Sequence, residues 1–529
     1  MAGPEYVPAN SEIGSLTAHS NEDSQFVGSS SGVYFVNTVK RAFSNGLDGS
    51  GSPESEFPTA EDTLVGAEDS PRQKRRRTAP DELPFQAGGG ESPPQWHYDP
   101  AIAALLGTAP PLDQARDLMM MYFKVWHPLY PFLHGPTFLQ AMETLYSETT
   151  QADDRQNDHP STDHRNICWT VTLQCVFNLG SLLRPDLPLP ESSRIKSPGN
   201  MISLLGTLAA RHDIASLQAL MAIQVYLVAT MSLRLASTFG GCVLRSMFHA
   251  GLHRCPFRYA QLSSHDRQLR KRIFWCVYAI DRYLSQALGL PLGIQDSDID
   301  VCLPAAAEIH SPHRVPECRS TPRSDPTQES SENRSQNSTG QRVESIESPL
   351  QQEHGTDHRK KESVLASYVD SGTLTGRALE LFHKSILVRS VRRSSVLFLV
   401  TDVHKWWNSL PLDLQGKRSQ LEQQAAVADG DRAFDFGPFF TVLYQHLILI
   451  IHRPSLSLDP STAEFCSGLQ TCIGAARGII AALKLQVDSR QALFWPGFLS
   501  AAWMSGLVLA FACQLRQYVL AKGLQYVML

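Results

Sequence analysis

Ten cysteines, one histidine pair and one dense basic run are the residues of this 529-residue chain whose types and spacing invite chemistry. Cys168 and Cys175 enclose six residues, a spacing that recurs inside six-cysteine binuclear zinc clusters. Such clusters also need C-x-x-C pairs, because two thiolates must reach one ion from a tight turn. The chain contains no C-x-x-C. Cys168, Val171 and Cys175 follow helical spacing instead and read as one buried helix face. His249 and His253 stand i, i+4, which can chelate zinc from a helix, but Ala250 replaces the catalytic Glu of a metalloprotease and Gly251 weakens the helix. They read as structural histidines at a helix end. No nucleophile elbow, Walker loop or dinucleotide fingerprint occurs, and no carboxylate pair is placed for acid–base work. The expectation is a non-enzyme, with no catalytic residue and no metal ligand.

Arg72, Lys74, Arg75, Arg76 and Arg77 put five cations into six positions. Such a run fits a nuclear-import signal, or an arm that touches phosphates. Ser70-Pro71 and Ser92-Pro93 flank it, and phosphate there would weaken a cationic signal. The chain as a whole carries a net charge of −5, not the basic excess of a domain that grips nucleic acid through its backbone. The scattered cysteines, and a start without basic and apolar signal regions, point to a reduced intracellular compartment. The sequons at Asn333 and Asn337 then read as chance matches.

The elements that must position these residues are helices. A hydrophobic fraction of 42% and a charged fraction of 19% suit a large core with polar arms. Residues 1–95 are rich in Ser, Gly, Glu and Pro and read as a largely disordered arm. Its apolar island, Val33 to Val36, is placed to fold back onto the body. Apolar residues at helical spacing run from 97 to 304, a polar segment at 305–362 reads as a disordered insert, and helical pattern resumes over 363–529. Strand signals are scarce, so the fold class is all-α: a large multi-helix body split by an insert. The clearest helix starts at Ser263 or Ser264, carries Leu269, Ile273, Val277, Ile280 and Leu284 on its apolar side, and ends at Gly289 and Pro291. Residues 491–515 carry no charge and approach membrane-spanning length, though Pro496, Gly506 and polar residues argue for a core helix.

The stretch Gly241-Cys-Val-Leu-Arg245 to Gly251-Leu252-His253-Arg254 resembles a helix of the fungal-specific transcription factor domain. Arg270-Lys-Arg272-Ile-Phe274-Trp275, then Tyr278 and Asp281-Arg282, is similar to that domain's next helix. Gly289, Pro291, Asp298-Ile299-Asp300 and Leu303-Pro304 continue the pattern in order. Upstream, Trp126-His127-Pro128 to His134 with Phe138 resembles its opening helix and turn, and His452-Arg453-Pro454 a later segment. Two positions depart: Gln268 stands where Glu is common, and Leu290 where Arg is common.

The resemblance is to the regulatory, xylanolytic-activator type of domain found in binuclear zinc cluster transcription factors. It implies a nuclear regulator of DNA-templated transcription of metabolic genes. Its partners would be DNA, reached indirectly or through a missing domain, the transcription machinery, a second subunit in a homodimer or heterodimer, and an unknown small-molecule effector, with no membrane. The family's zinc ions would belong to the absent cluster, so no cofactor is expected in this chain. Other readings are a ligand-sensing or scaffolding helical protein outside transcription, and a membrane-associated protein anchored by 491–515. Arg245, Gly251, His253, Arg270, Arg272, Phe274, Trp275, Asp281, Gly289 and Pro291 are expected to hold the fold. A carboxylate beside an apolar stripe needs a cation, and Arg245 on the neighbouring helix is the candidate for Asp281.

Overall fold

The structure is a computed structural model that describes residues 14–18, 24–28, 30–31, 35–36, 39, 100–151, 164–310, 349–383, 393–416 and 434–515. The basic run at 72–77 lies outside these residues.

Thirteen α-helices form the described body: α1 (Pro100–Leu106), α2 (Leu112–Val125), α3 (Gly135–Gln151), α4 (His164–Leu183), α5 (Leu205–Ala209), α6 (Ile214–Ala229), α7 (Leu233–His249), α8 (Ser264–Leu288), α9 (Pro349–His383), α10 (Arg393–Ser409), α11 (Gly437–His452), α12 (Ala463–Asp488) and α13 (Gly497–Gln514). The fold is all-α, with one addition. Strands β1 (Gly14–Ala18) and β2 (Ser24–Gly28) pair antiparallel in the N-terminal arm. Helix α9 begins at Pro349, inside the segment read as an insert, and residues 305–310 before that segment's undescribed part are described too.

Each central helix has a local cause. Helix α6 is apolar all round, with Asp213 capping it by accepting from the Ser216 amide at 2.8 Å. Such a helix must be wrapped, and α4 and α7 pack along it while α2 packs on α4. Ser263 caps α8 by accepting from the Asp266 amide at 3.0 Å. Gly289 closes that helix in the left-handed region at φ 70°, where a Cβ would be strained. The predicted stripe Leu269, Ile273, Val277, Ile280 and Leu284 is buried.

Helix α8 joins two halves. Its partners are α7 on one side and α9 on the other, and α9 in turn packs on α10 and α11. Helices α11, α12 and α13 complete the second half, and one continuous core runs through both. By length and composition α4, α12 and α13 could each cross a membrane. In this fold α4 lies between α2 and α6, and α13 packs on α12 and α11.

The N-terminal arm docks on that body. Gly28 meets Gly289 backbone to backbone, so closely that a Cβ on Gly28 would stand 1.9 Å from the Gly289 carbonyl oxygen. Ser30 donates to the Gln286 carbonyl at 3.2 Å. Arg453, buried, donates to the carbonyls of Ser30 and Ser31 at 3.1 and 3.4 Å and lies over the Phe35 ring. Phe35 also meets Phe511 edge to face, and Val36 and Val39 are buried.

Candidate functional site

Helix α8 and the turn that follows it meet at one buried guanidinium. Arg282, on the α9-facing side of α8, has a side chain only 1% exposed. Desolvating a guanidinium is costly unless it is paired and hydrogen-bonded, and Arg282 is both. Its Nη1 donates to Asp281 Oδ2 at 2.9 Å, and its Nη2 to Asp296 Oδ1 at 2.5 Å and the Ile294 carbonyl at 2.9 Å. The guanidinium also lies 4.2 Å from the centroid of the Tyr278 ring, and Tyr278 donates to Asp296 at 2.9 Å. Burial works against its charge, yet Tyr278, Asp296 and Asp281 hold its pKa above the ordinary arginine value. Burial lifts the Asp281 carboxyl above the usual carboxylate range, opposed by Arg282 and the amides of Gly293 and Ile294.

The expected Asp281–Arg245 pair does not form. Arg245 stands on the exposed face of α7, whereas Asp281 turns toward the loop after α8 and accepts from the Gly293 and Ile294 amides at 3.1–3.3 Å. Its cation is the next residue of its own helix. Arg282 can reach back because Gly372 and Gly376 on α9 leave room: a Cβ on Gly376 would stand 3.0 Å from Arg282 Nε. That nitrogen is buried without a hydrogen-bond partner.

Beside this network a narrow cleft opens between α8, α9 and α11. Arg282, Gln286, Ser371, Thr375 and His446 supply its polar wall, and Leu443, Leu447, Ile450 and Trp495 its apolar one. Ser371 and Thr375 donate to the carbonyls of Tyr368 and Ser371 at 2.6 and 2.8 Å, which leaves their oxygens as acceptors. Burial, followed by the charge of Arg453, pushes the His446 imidazole down to about 4, so it is neutral near pH 7. With both hydroxyls committed to carbonyls, the cleft suits binding rather than nucleophilic chemistry.

The other sequence candidates are spread along this frame. Phe274 and Trp275 are buried, and Trp275 donates to the Cys302 carbonyl at 2.9 Å. Arg270 donates to the Ala250 carbonyl at 3.2 Å, tying α8 to the end of α7, and Gly251 beside it takes φ 73°. Arg272 is held below its ordinary value by burial. His253 packs against Phe248, and its pKa is lowered by burial, while His249 stacks on His212. Pro291 is exposed in the turn after α8. Cys168 and Cys175 are both buried on α4.

Asp296, Gly372 and Gly376 were not singled out from sequence. The Gly-x-x-x-Gly spacing on a helix was their one available signal, since it clears a strip for a large side chain. A second constellation also joins residues far apart in the chain: Cys255, Cys302 and His310 place their ligand atoms within 4.8 Å of one another.

Residues 119–353 match the family described as the fungal specific transcription factor domain. The chain is 42% identical to "Probable transcription factor FUP6" of Fusarium proliferatum, over 98% of the chain and 73% of that relative. It is 24% identical to "Uncharacterized transcriptional regulatory protein C3C7.04" of Schizosaccharomyces pombe, over 55% of the chain and 32% of the relative. With "Transcriptional activator protein acu-15" of Neurospora crassa it shares 22% identity over 88% of the chain and 41% of the relative. The chain thus spans less than half the length of the last two.

Proposed function

This chain belongs to the fungal specific transcription factor domain family, and from that premise we propose that it is the regulatory body of a nuclear transcription regulator rather than an enzyme. The likeness to a transcription factor along 98% of the chain carries the reading. It extends beyond the matched residues 119–353 into both flanks. The basic run Arg72 to Arg77 supplies the import signal. DNA is read outside this body, by a partner or a further segment, because the chain holds no C-x-x-C pair for a zinc cluster and carries a net charge of −5.

The cleft between α8, α9 and α11 is the effector site in this reading. Arg282 already faces two carboxylates, so an anion gains little there. A compact neutral molecule fits better, one that accepts at Arg282 Nε and donates to Ser371 or Thr375. Occupying the cleft would change how α9 and α11 lie against α8, which is how a ligand could bias the body between two states.

The test is to tether residues 1–529 to a heterologous DNA-binding domain in a fungal host carrying a reporter for that domain. Reporter output is expected to rise or fall relative to the DNA-binding domain alone at matched protein level. Unchanged output would count against a regulatory role.

A further inference from the structure

We propose that Cys255, Cys302, His310 and Glu308 form a divalent-metal site suited to Zn²⁺, which staples the loop after α7 to the segment that follows α8. The four residues come from two chain regions. Cys255 follows the turn at Gly251, and the other three lie beyond Asp300.

Cys255, Cys302 and His310 bring their ligand atoms within 4.8 Å of one another, and Glu308 approaches from the Cys255 side as the fourth ligand. Cys255 Sγ and Cys302 Sγ stand 4.0 Å apart, Cys302 Sγ and His310 Nδ1 3.4 Å, and Cys255 Sγ and Glu308 Oε2 4.0 Å. Tetrahedral zinc with ordinary bond lengths requires edges of roughly 3.8 Å between two sulfurs and roughly 3.6 Å from sulfur to nitrogen or oxygen. These three distances differ from the tetrahedral edges by a few tenths of an ångström. Two thiolates, an imidazole and a carboxylate form a donor set that zinc accepts.

The surroundings match what metal ligands need beyond the first contacts. His310 turns Nδ1 to the cysteine and Nε2 toward Asp300 Oδ1 at 3.8 Å, so a carboxylate backs the imidazole. Asp300 is itself fixed by Arg258, through bonds of 2.7 and 2.9 Å, and by the Cys255 amide at 3.2 Å. Lys271, buried on α8, pairs with the other oxygen of Glu308 and holds that carboxylate in place. Two thiolates and one carboxylate around a dication leave one negative charge, and Lys271 balances it. The thiols lose their protons to solvent on binding, with no change of oxidation state. Cys255 is buried while Cys302 and His310 are part-buried, which leaves an ion a way in.

The experiment is a Co²⁺ titration of the purified, reduced full chain after chelator treatment, followed by competition with Zn²⁺. One equivalent of Co²⁺ is expected to give thiolate-to-cobalt charge-transfer absorption and the strong visible bands of tetrahedral cobalt, both bleached by Zn²⁺. Cys255→Ser with Cys302→Ser should abolish these bands, His310→Ala should weaken binding at least tenfold, and Cys168→Ser with Cys466→Ser should leave the spectrum unchanged. Zinc should also raise the unfolding temperature of the unaltered chain, but not that of the Cys255/Cys302 double variant. No thiolate bands in the unaltered chain would overturn the proposal. So would bands that survive the Cys255/Cys302 double substitution, or a Cys255–Cys302 disulfide that forms under reducing conditions and excludes the metal. The unaltered chain alone decides the matter if the variant does not fold.

Discussion

At the scale of single residues, the account rests on how a buried charge is tolerated. Arg282 is covered by α9 and paired with Asp281, Asp296, the Ile294 carbonyl and the Tyr278 ring through its two Nη groups and its guanidinium face. Removing one partner of a buried pair leaves the other charge uncompensated, at about 3–5 kcal/mol. Arg282→Leu is therefore expected to lower unfolding free energy by that amount in urea titrations, and Asp281→Asn added to it should recover part of the loss. A loss below about 1 kcal/mol would show that the network does not hold α8 to its neighbours. His446 gives a pH signature. Its folded value of about 4 lies below the ordinary 6.5, so the unfolded chain binds the proton more readily. Its contribution is complete above pH 6.5 and is lost progressively as pH falls toward 4, up to about 3 kcal/mol at 1.36 kcal/mol per unit. His446→Leu should flatten the pH dependence of stability in that window; an unchanged slope would contradict the assignment.

At the scale of elements, the legible features were those set by neighbours in sequence. The serine cap at 263 or 264, the Gly289 stop and the apolar stripe of α8 are local and readable from residue type and spacing, and the structure selects Ser263. Asp281's need for a cation was readable too. Its partner was not, because whether Arg282 curls back or extends depends on Gly372 and Gly376, 90 or more positions away in the chain. Cys255, Cys302 and His310 stayed hidden for the same reason: no local motif joins residues that meet only when the chain returns past α8. The hairpin is a third case. Its strands are five residues each, too short for alternation to stand out, and Gly28 is fixed by contact with Gly289 rather than by its own pattern. Gly289→Ala combines a strained left-handed residue, about 1–2 kcal/mol, with a Cβ 2.3 Å from Gly28 Cα. It is expected to release the arm, seen as faster amide exchange at residues 24–31 with α6 unaffected. Equal exchange in both proteins would show that this contact does not dock the arm.

At the scale of the whole molecule, one continuous core runs across two helical halves among the described residues. The chain's net charge of −5 and its lack of C-x-x-C pairs are the sequence features behind the proposal that DNA is read outside this body. Arg453 shows how far the packing is integrated. A residue of the later His-Arg-Pro segment binds carbonyls of the N-terminal arm, and Phe35 of that arm meets Phe511, so segments far apart in the chain share buried contacts. The proposed role requires that this chain acts on transcription at promoters, whichever segment or partner touches the DNA. Chromatin immunoprecipitation of the tagged chain, expressed as residues 1–529 in its fungal setting, tests that claim most directly. The account predicts enrichment at discrete promoters above an untagged control. Signal indistinguishable from that control at every promoter would contradict it.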